Sequence, residues 1–135
     1  MVKLIIGIKG TGKTKTLIKM VDEALEKTTG DVVVLEKGEK LKFDIKYQAR
    51  LVNTAEYYIN DAQSLYGFVA GILASNHDVT DLFIDTTLRI CANDVAAFEK
   101  MVEEIDILTV KKDINIVMTA SIDENEASDV IKKYV

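Results

Sequence analysis

The chain has 135 residues, 48% of them hydrophobic, which is enough for one domain with its own core. It carries 22 carboxylates against 17 lysines and arginines, and this formal charge of −5 argues against a general nucleic-acid or membrane-surface binder, because polyanions are repelled at long range. Cys91 is the sole cysteine, which excludes an intrachain disulfide and a cysteine-based zinc site, and no stretch approaches the roughly 20 apolar residues of a membrane span.

Val2-Lys3-Leu4-Ile5-Ile6 reads as a short buried strand. Beyond the loop that follows it, Leu17, Ile18, Val21 and Leu25 share one face of an amphipathic helix. Thr28-Thr29-Gly30 stops that helix, and Asp31 to Leu35 is a second apolar strand with Glu36 at its carboxyl end. Lys37 to Gln48 is expected to be a loop or irregular helix, and Ala49 to Asn53 a short third strand. Asn60 with Gln63 reads as a capping box opening a helix whose Leu65, Phe68, Val69, Ile72 and Leu73 keep helical spacing. Asn76-His77-Asp78 ends it, and Leu82-Phe83-Ile84 is a fourth strand that delivers Asp85.

A further helix is entered near Asn93, with Val95, Phe98, Met101, Val102, Ile105 and Leu108 facing inward. Ile114 to Thr119 forms a fifth strand, and Asp123 with Glu126 caps a short terminal helix. Strands alternating with helices at this spacing predict a mainly parallel sheet covered on both faces, within a single domain over residues 1–135. The amino terminus enters a strand with no signal-peptide pattern, so the expected location is cytoplasmic.

The chemistry concentrates in Gly7-Ile8-Lys9-Gly10-Thr11-Gly12-Lys13-Thr14, a full match to the phosphate-binding pattern G-x-x-x-x-G-K-[ST] between a strand and a helix. Glycines let backbone N–H groups curl around a β-phosphate at the positive end of a helix. Lys13 is the residue to bridge the β- and γ-phosphates, and the Thr14 hydroxyl is a ligand for Mg²⁺. Lys15 flanks the loop, where added charge near the phosphates competes with a solvated helix face. Asp85 supplies the second half of the site, since Mg²⁺ keeps several waters and needs few carboxylates.

This order of parts resembles the ATPase core of the RecA-like class of P-loop proteins, and is similar to small stand-alone bacterial P-loop ATP-binding proteins. The resemblance implies a three-layer α/β/α fold with a five-stranded parallel sheet in the order 3-2-4-5-1. It also implies ATP and Mg²⁺ as ligands. Glu36 takes the place of the catalytic glutamate, Asp85-Thr86 that of the metal-site pair, and Thr119-Ala120-Ser121 that of a sensor segment. Against the catalytic reading stands that of a solvated carboxylate opening the charged Glu36-Lys37-Gly38-Glu39-Lys40 run.

Three functions are compatible with these residues: a slow Mg²⁺-dependent ATPase, a nucleotide-dependent binding or switch module, and a small-molecule kinase of nucleoside type. The kinase is disfavoured because Arg50 and Arg89 are the only arginines and no long lid insertion exists. His77 reads as solvated, and Tyr57, Tyr58 and Tyr66 as packing residues in preference to base-stacking ones. Arg89, four residues past Asp85, is a weak candidate for contact with the nucleotide of its own or a neighbouring subunit. The expected state is a monomer or weak dimer with no nucleic-acid or membrane partner; a protein partner is left open.

Overall fold

A computed structural model describes all 135 residues, Met1–Val135. Its strands are β1 (Val2–Ile6), β2 (Asp31–Glu36), β3 (Arg50–Asn53), β4 (Val79–Ile84) and β5 (Asn115–Ala120). Its helices are α1 (Lys13–Lys27), α2 (Ala62–Ser75), the one-turn α3 (Thr87–Ile90), α4 (Val95–Thr109) and the one-turn α5 (Asp129–Lys132). Every pairing in the sheet is parallel, in the order β1-β5-β4-β2-β3. From the β3 edge this reads third, second, fourth, fifth, first.

The two faces of the sheet are covered unequally. Leu4, Leu35, Leu82, Ile84, Ile116 and Met118 face a 26-residue cluster completed by α2, α4 and α5. There Leu65, Val69 and Leu73 of α2 meet Phe98, Met101, Val102 and Ile105 of α4, each series at helical spacing. Val32, Val34, Phe83 and Val117 face a nine-residue cluster on the other side, with Leu17 and Val21 of α1. No second helix covers that face; Leu41, Ile45 and Ala49 of the irregular 37–49 segment complete it.

Boundaries move where caps compete. Helix α2 starts one residue later than Asn60–Gln63 suggested: Asp61 accepts the Ser64 N–H at 2.8 Å, and Ser64 Oγ accepts the Asp61 N–H at 3.3 Å. A carboxylate is the stronger acceptor at a helix amino terminus, so Asp61 takes the cap. Asp94 caps α4, which turns Val95 outward to 42% exposure. Asp123 caps a single 3₁₀ turn at Glu124–Glu126, whereas α5 is capped by Ser128.

The β1 edge is partly closed by the chain itself. The Tyr134 carbonyl accepts the Leu4 N–H at 2.7 Å, and Ile131 of α5 is buried in the larger core. That bond occupies one of the backbone groups that an edge strand would otherwise present for association.

Candidate functional site

Parallel register determines which side chains meet at the carboxyl edge. Leu35 pairs with Ile84, and Ile84 with Met118, all three on the α2–α4 face. One residue further along, strand alternation turns Glu36, Asp85 and Thr119 together toward the opposite face, above which α1 begins. All three are buried, at 4%, 6% and 1% exposure.

Asp85 is held by hydroxyls. Thr14 Oγ1, in the first turn of α1, donates to its carboxylate, 3.1 Å from Oδ2 and 3.3 Å from Oδ1. Thr119 Oγ1 donates to Oδ1 at 2.7 Å and accepts the Thr86 N–H at 2.7 Å. Thr86 sits in the left-handed region at φ 52°, costly for a β-branched residue, and the Thr119 hydroxyl is one of the contacts that hold it there. The sequence-level sensor segment is thereby divided: Thr119 braces the carboxylate, while Ser121 is exposed and lines the cleft.

The phosphate-binding pattern forms a loop closed on itself. Thr11 Oγ1 and Lys13 Nζ both donate to the Ile8 carbonyl at 2.8 Å. A Cβ on Gly7 would lie 2.6 Å from Thr11 Oγ1, so a side chain there would break the closure. Gly12, at φ 84°, turns the chain into α1 with no side-chain cap, and the first turn holds no acid. The first backbone N–H of this region to reach a backbone acceptor is that of Thr16, on the Gly12 carbonyl at 3.1 Å; the N–H groups of Lys13, Thr14 and Lys15 remain open to an anion.

Glu36 is buried, which displaces the reading of a solvated carboxylate. Its Oε1 accepts the Lys40 N–H at 3.1 Å and Oε2 the Leu41 N–H at 3.0 Å, closing the turn after β2. Burial pushes its carboxyl above the usual carboxylate range, the two backbone bonds oppose that, and the charges of Asp85 and Glu39 add to it.

These elements surround an open cleft of about 900 Å³. Lys9, Gly10, Gly12, Lys13, Thr14 and Lys15 line it, with Glu36, Asp85, Thr86 and Thr119, whereas Gly7, Ile8 and Thr11 do not. Arg89 also lines the cleft, within its own chain. Lys37 and Lys40 do as well, and the motif offered no signal for either; their mark was the charged run after Glu36. Six cations thus face two carboxylates, in a chain that is acidic overall.

Other residues fall outside. His77 is exposed. Tyr57 packs on Phe68 with ring centroids 5.6 Å apart, Tyr66 packs on the larger core, and no aromatic side chain lines the cleft. Cys91 is buried, and burial with the nearby Asp61 and Asp94 pushes its thiol up to about 12, so it is an inert packing residue.

The donor set fits a hydrated Mg²⁺, with one hydroxyl and one carboxylate side by side; no group of three or more acidic, histidine or cysteine ligands exists anywhere in the chain. No helix is long and apolar enough to cross a membrane. Fold and site together define a parallel α/β domain whose first crossover carries a glycine loop with open helix N–H groups. No protein-family model and no curated protein matches the chain. Among solved structures it is similar to C. elegans PCH-2, with a TM-score of 0.55 at 15% identity. The match covers 99% of this chain and 33% of that one, so the chain spans about a third of its length, and the likeness is one of fold.

Proposed function

We propose that the chain binds ATP with Mg²⁺ and hydrolyses it slowly, as a P-loop domain of the RecA-like layout. The observation that carries this reading is the Thr14–Asp85 contact, 3.1 Å from hydroxyl to carboxylate, at the foot of a cleft with open helix N–H groups. Those N–H groups cradle the β-phosphate, and Lys13 exchanges the Ile8 carbonyl for the β- and γ-phosphate oxygens. Thr14 and Asp85 are the residues that would hold Mg²⁺, which when bound neutralises charge on the phosphates. Glu36 is the candidate to accept a proton from the attacking water, because desolvation raises its proton affinity and it shares the cleft with Asp85. Likeness to a solved structure at 15% identity supports the fold of such a domain and no more.

One observation favours a second reading, a nucleotide-dependent switch with little hydrolysis. Both Glu36 oxygens already accept backbone N–H groups, which fixes the carboxylate and opposes the rise in proton affinity that burial gives it. The kinase reading loses support because β5 lies between β4 and β1, so the Asp85 strand does not pair with the strand before the loop. The self-capped β1 edge supports a monomer or weak dimer, and the inert Cys91 suits a reducing cytoplasm.

Turnover of ATP with and without Mg²⁺ tests the first reading. Slow release of phosphate is expected, on the order of the unassisted rates of switch-type hydrolases. Glu36→Gln should lower it by about 10²-fold while affinity changes little. Unchanged hydrolysis in Glu36→Gln rules out the base assignment, and ATP binding without any turnover selects the switch.

A further inference from the structure

Beyond the phosphate loop, the cleft has two properties that the nucleotide reading does not itself require. The first is the absence of an apolar slot. Of its sixteen lining residues Leu88 is the only hydrophobic one, and none is aromatic. A purine or pyrimidine gains most of its binding free energy from stacking or apolar contact, about 1–3 kcal/mol on an aromatic side chain, and these walls provide no such surface.

The second property is a surplus of unpaired cations on the wall opposite the loop. Lys37 and Lys40 stand on the turn that Glu36 closes, and neither side chain makes a hydrogen bond or salt bridge; the molecule's only salt bridge joins Lys46 to Asp22 at 3.9 Å. Their turn lies at the Asp85 end of the cleft, since Leu35 pairs with Ile84 and accepts the Asp85 N–H at 2.9 Å, which sets Glu36 and Asp85 at neighbouring strand ends. The Asp85–Thr14 pair is where a metal-bound terminal phosphate would lie, and Lys37 and Lys40 line the cleft at that end, whereas the near end of a phosphate chain would rest on the α1 amino terminus.

We infer that the cleft selects its ligand by the length of the phosphate chain and not by the base, with Lys37 and Lys40 holding the terminal phosphate. The ligand class is the nucleoside triphosphates irrespective of base, bound in preference to the diphosphates. This rests on the nucleotide-binding reading above. Charge-assisted contacts to a phosphate oxygen from two lysines are worth about tenfold in affinity or more, and a diphosphate forfeits them. Glu36 contributes by fixing the backbone of the turn, through the Lys40 and Leu41 N–H groups, from which both side chains line the cleft.

The test is calorimetric titration of the whole chain with the Mg²⁺ complexes of ATP, GTP, CTP and ADP. The unaltered protein should bind the three triphosphates within about threefold of one another, and ADP about tenfold more weakly. Lys37→Ala/Lys40→Ala should weaken ATP to the level of ADP while leaving ADP within about twofold. Lys111→Ala/Lys112→Ala, exposed before β5 at the other end of the sheet, makes the same change in net charge and should leave the tri- to diphosphate ratio intact. A preference of tenfold or more for one base overturns the inference, as does a triphosphate preference that survives in Lys37→Ala/Lys40→Ala. Lys37→Ala/Lys40→Ala weakening ATP and ADP equally also overturns it, because only the general field would then act. An unaltered protein that binds none of the four removes the nucleotide reading itself, a result distinct from the others.

Discussion

The phosphate loop and the turn after β2 face each other across one cleft, yet they use their backbone in opposite ways. The loop closes through side chains donating to one carbonyl, that of Ile8, and so leaves the N–H groups of the first turn of α1 free. In the turn, Glu36 takes the Lys40 and Leu41 N–H groups, and Asn53 Oδ1 of β3 takes that of Gly38 at 2.9 Å. The first region offers backbone dipoles to an anion; the second offers only lysine side chains on a finished scaffold. An anion site built from backbone is rigid and recognisable by motif, whereas one built from side chains depends on whatever positions their stems.

Several variants break or sharpen this contrast. The largest expected effect is on ligand-induced stability: Mg²⁺-ATP at about 100 times its Kd should add about 2.7 kcal/mol, seen as a melting rise of about 8 °C. Lys13→Ala should abolish most of that rise while barely moving the melting point of the free protein, since Lys13 bonds only loop atoms. Identical melting curves for the unaltered protein with and without nucleotide would refute the site.

Glu36→Ala should behave in reverse. It leaves the Lys40 and Leu41 N–H groups without their acceptor and should cost the free protein about 2 kcal/mol, measured by denaturant unfolding. A cost near zero would show that the turn holds without its carboxylate, and the contrast between the two walls would fail.

Thr119→Val removes the hydroxyl that links Asp85 to the Thr86 N–H while keeping the shape of the side chain. A loss of about 1–2 kcal/mol is expected in chemical denaturation, with weaker Mg²⁺ dependence of nucleotide binding. Unaltered Mg²⁺ dependence would mean that Thr14 alone orients Asp85.

The smallest effect is in pH dependence. The Glu36 carboxyl is raised in the folded chain, so between its ordinary value of 4.5 and its folded value the native state holds more protons than the unfolded one. Its contribution is therefore complete below that ordinary value and is lost as pH rises through the folded value. Glu36→Gln should flatten this part of the stability profile above pH 4.5, whereas Lys13→Ala should leave it unchanged.

Local regularity was legible from residue order alone. The β1–loop–α1 unit obeys rules that act within about ten residues: glycines where φ is positive, an apolar strand before, a 3.6-residue period after. Asp85 was legible for the same reason, as the polar residue that ends an apolar strand. One-residue displacements at the caps, Asp61 in place of Asn60 and Asp94 with Val95 turned outward, arose where neighbouring polar residues compete for one cap and only the packed helix decides between them.

Long-range placement was left to the tertiary structure. Nothing local distinguishes Glu36 from a solvated carboxylate at the start of a charged run; its burial follows from the register that aligns Leu35 with Ile84, together with a turn anchored by Leu41 and Asn53. Thr119 acquires its two partners because β5 lies beside β4, and Lys37 and Lys40 face the cleft because the 37–49 segment replaces a second helix on the α1 side. Residue order alone therefore determined the conformation of the glycine loop and the alternation of strands and helices, because backbone conformation and apolar period are properties of neighbours in sequence. The opposite wall of the cleft and the bracing of Asp85 were decided only by folding, because a buried carboxylate and an unpaired lysine are defined by what approaches them through space.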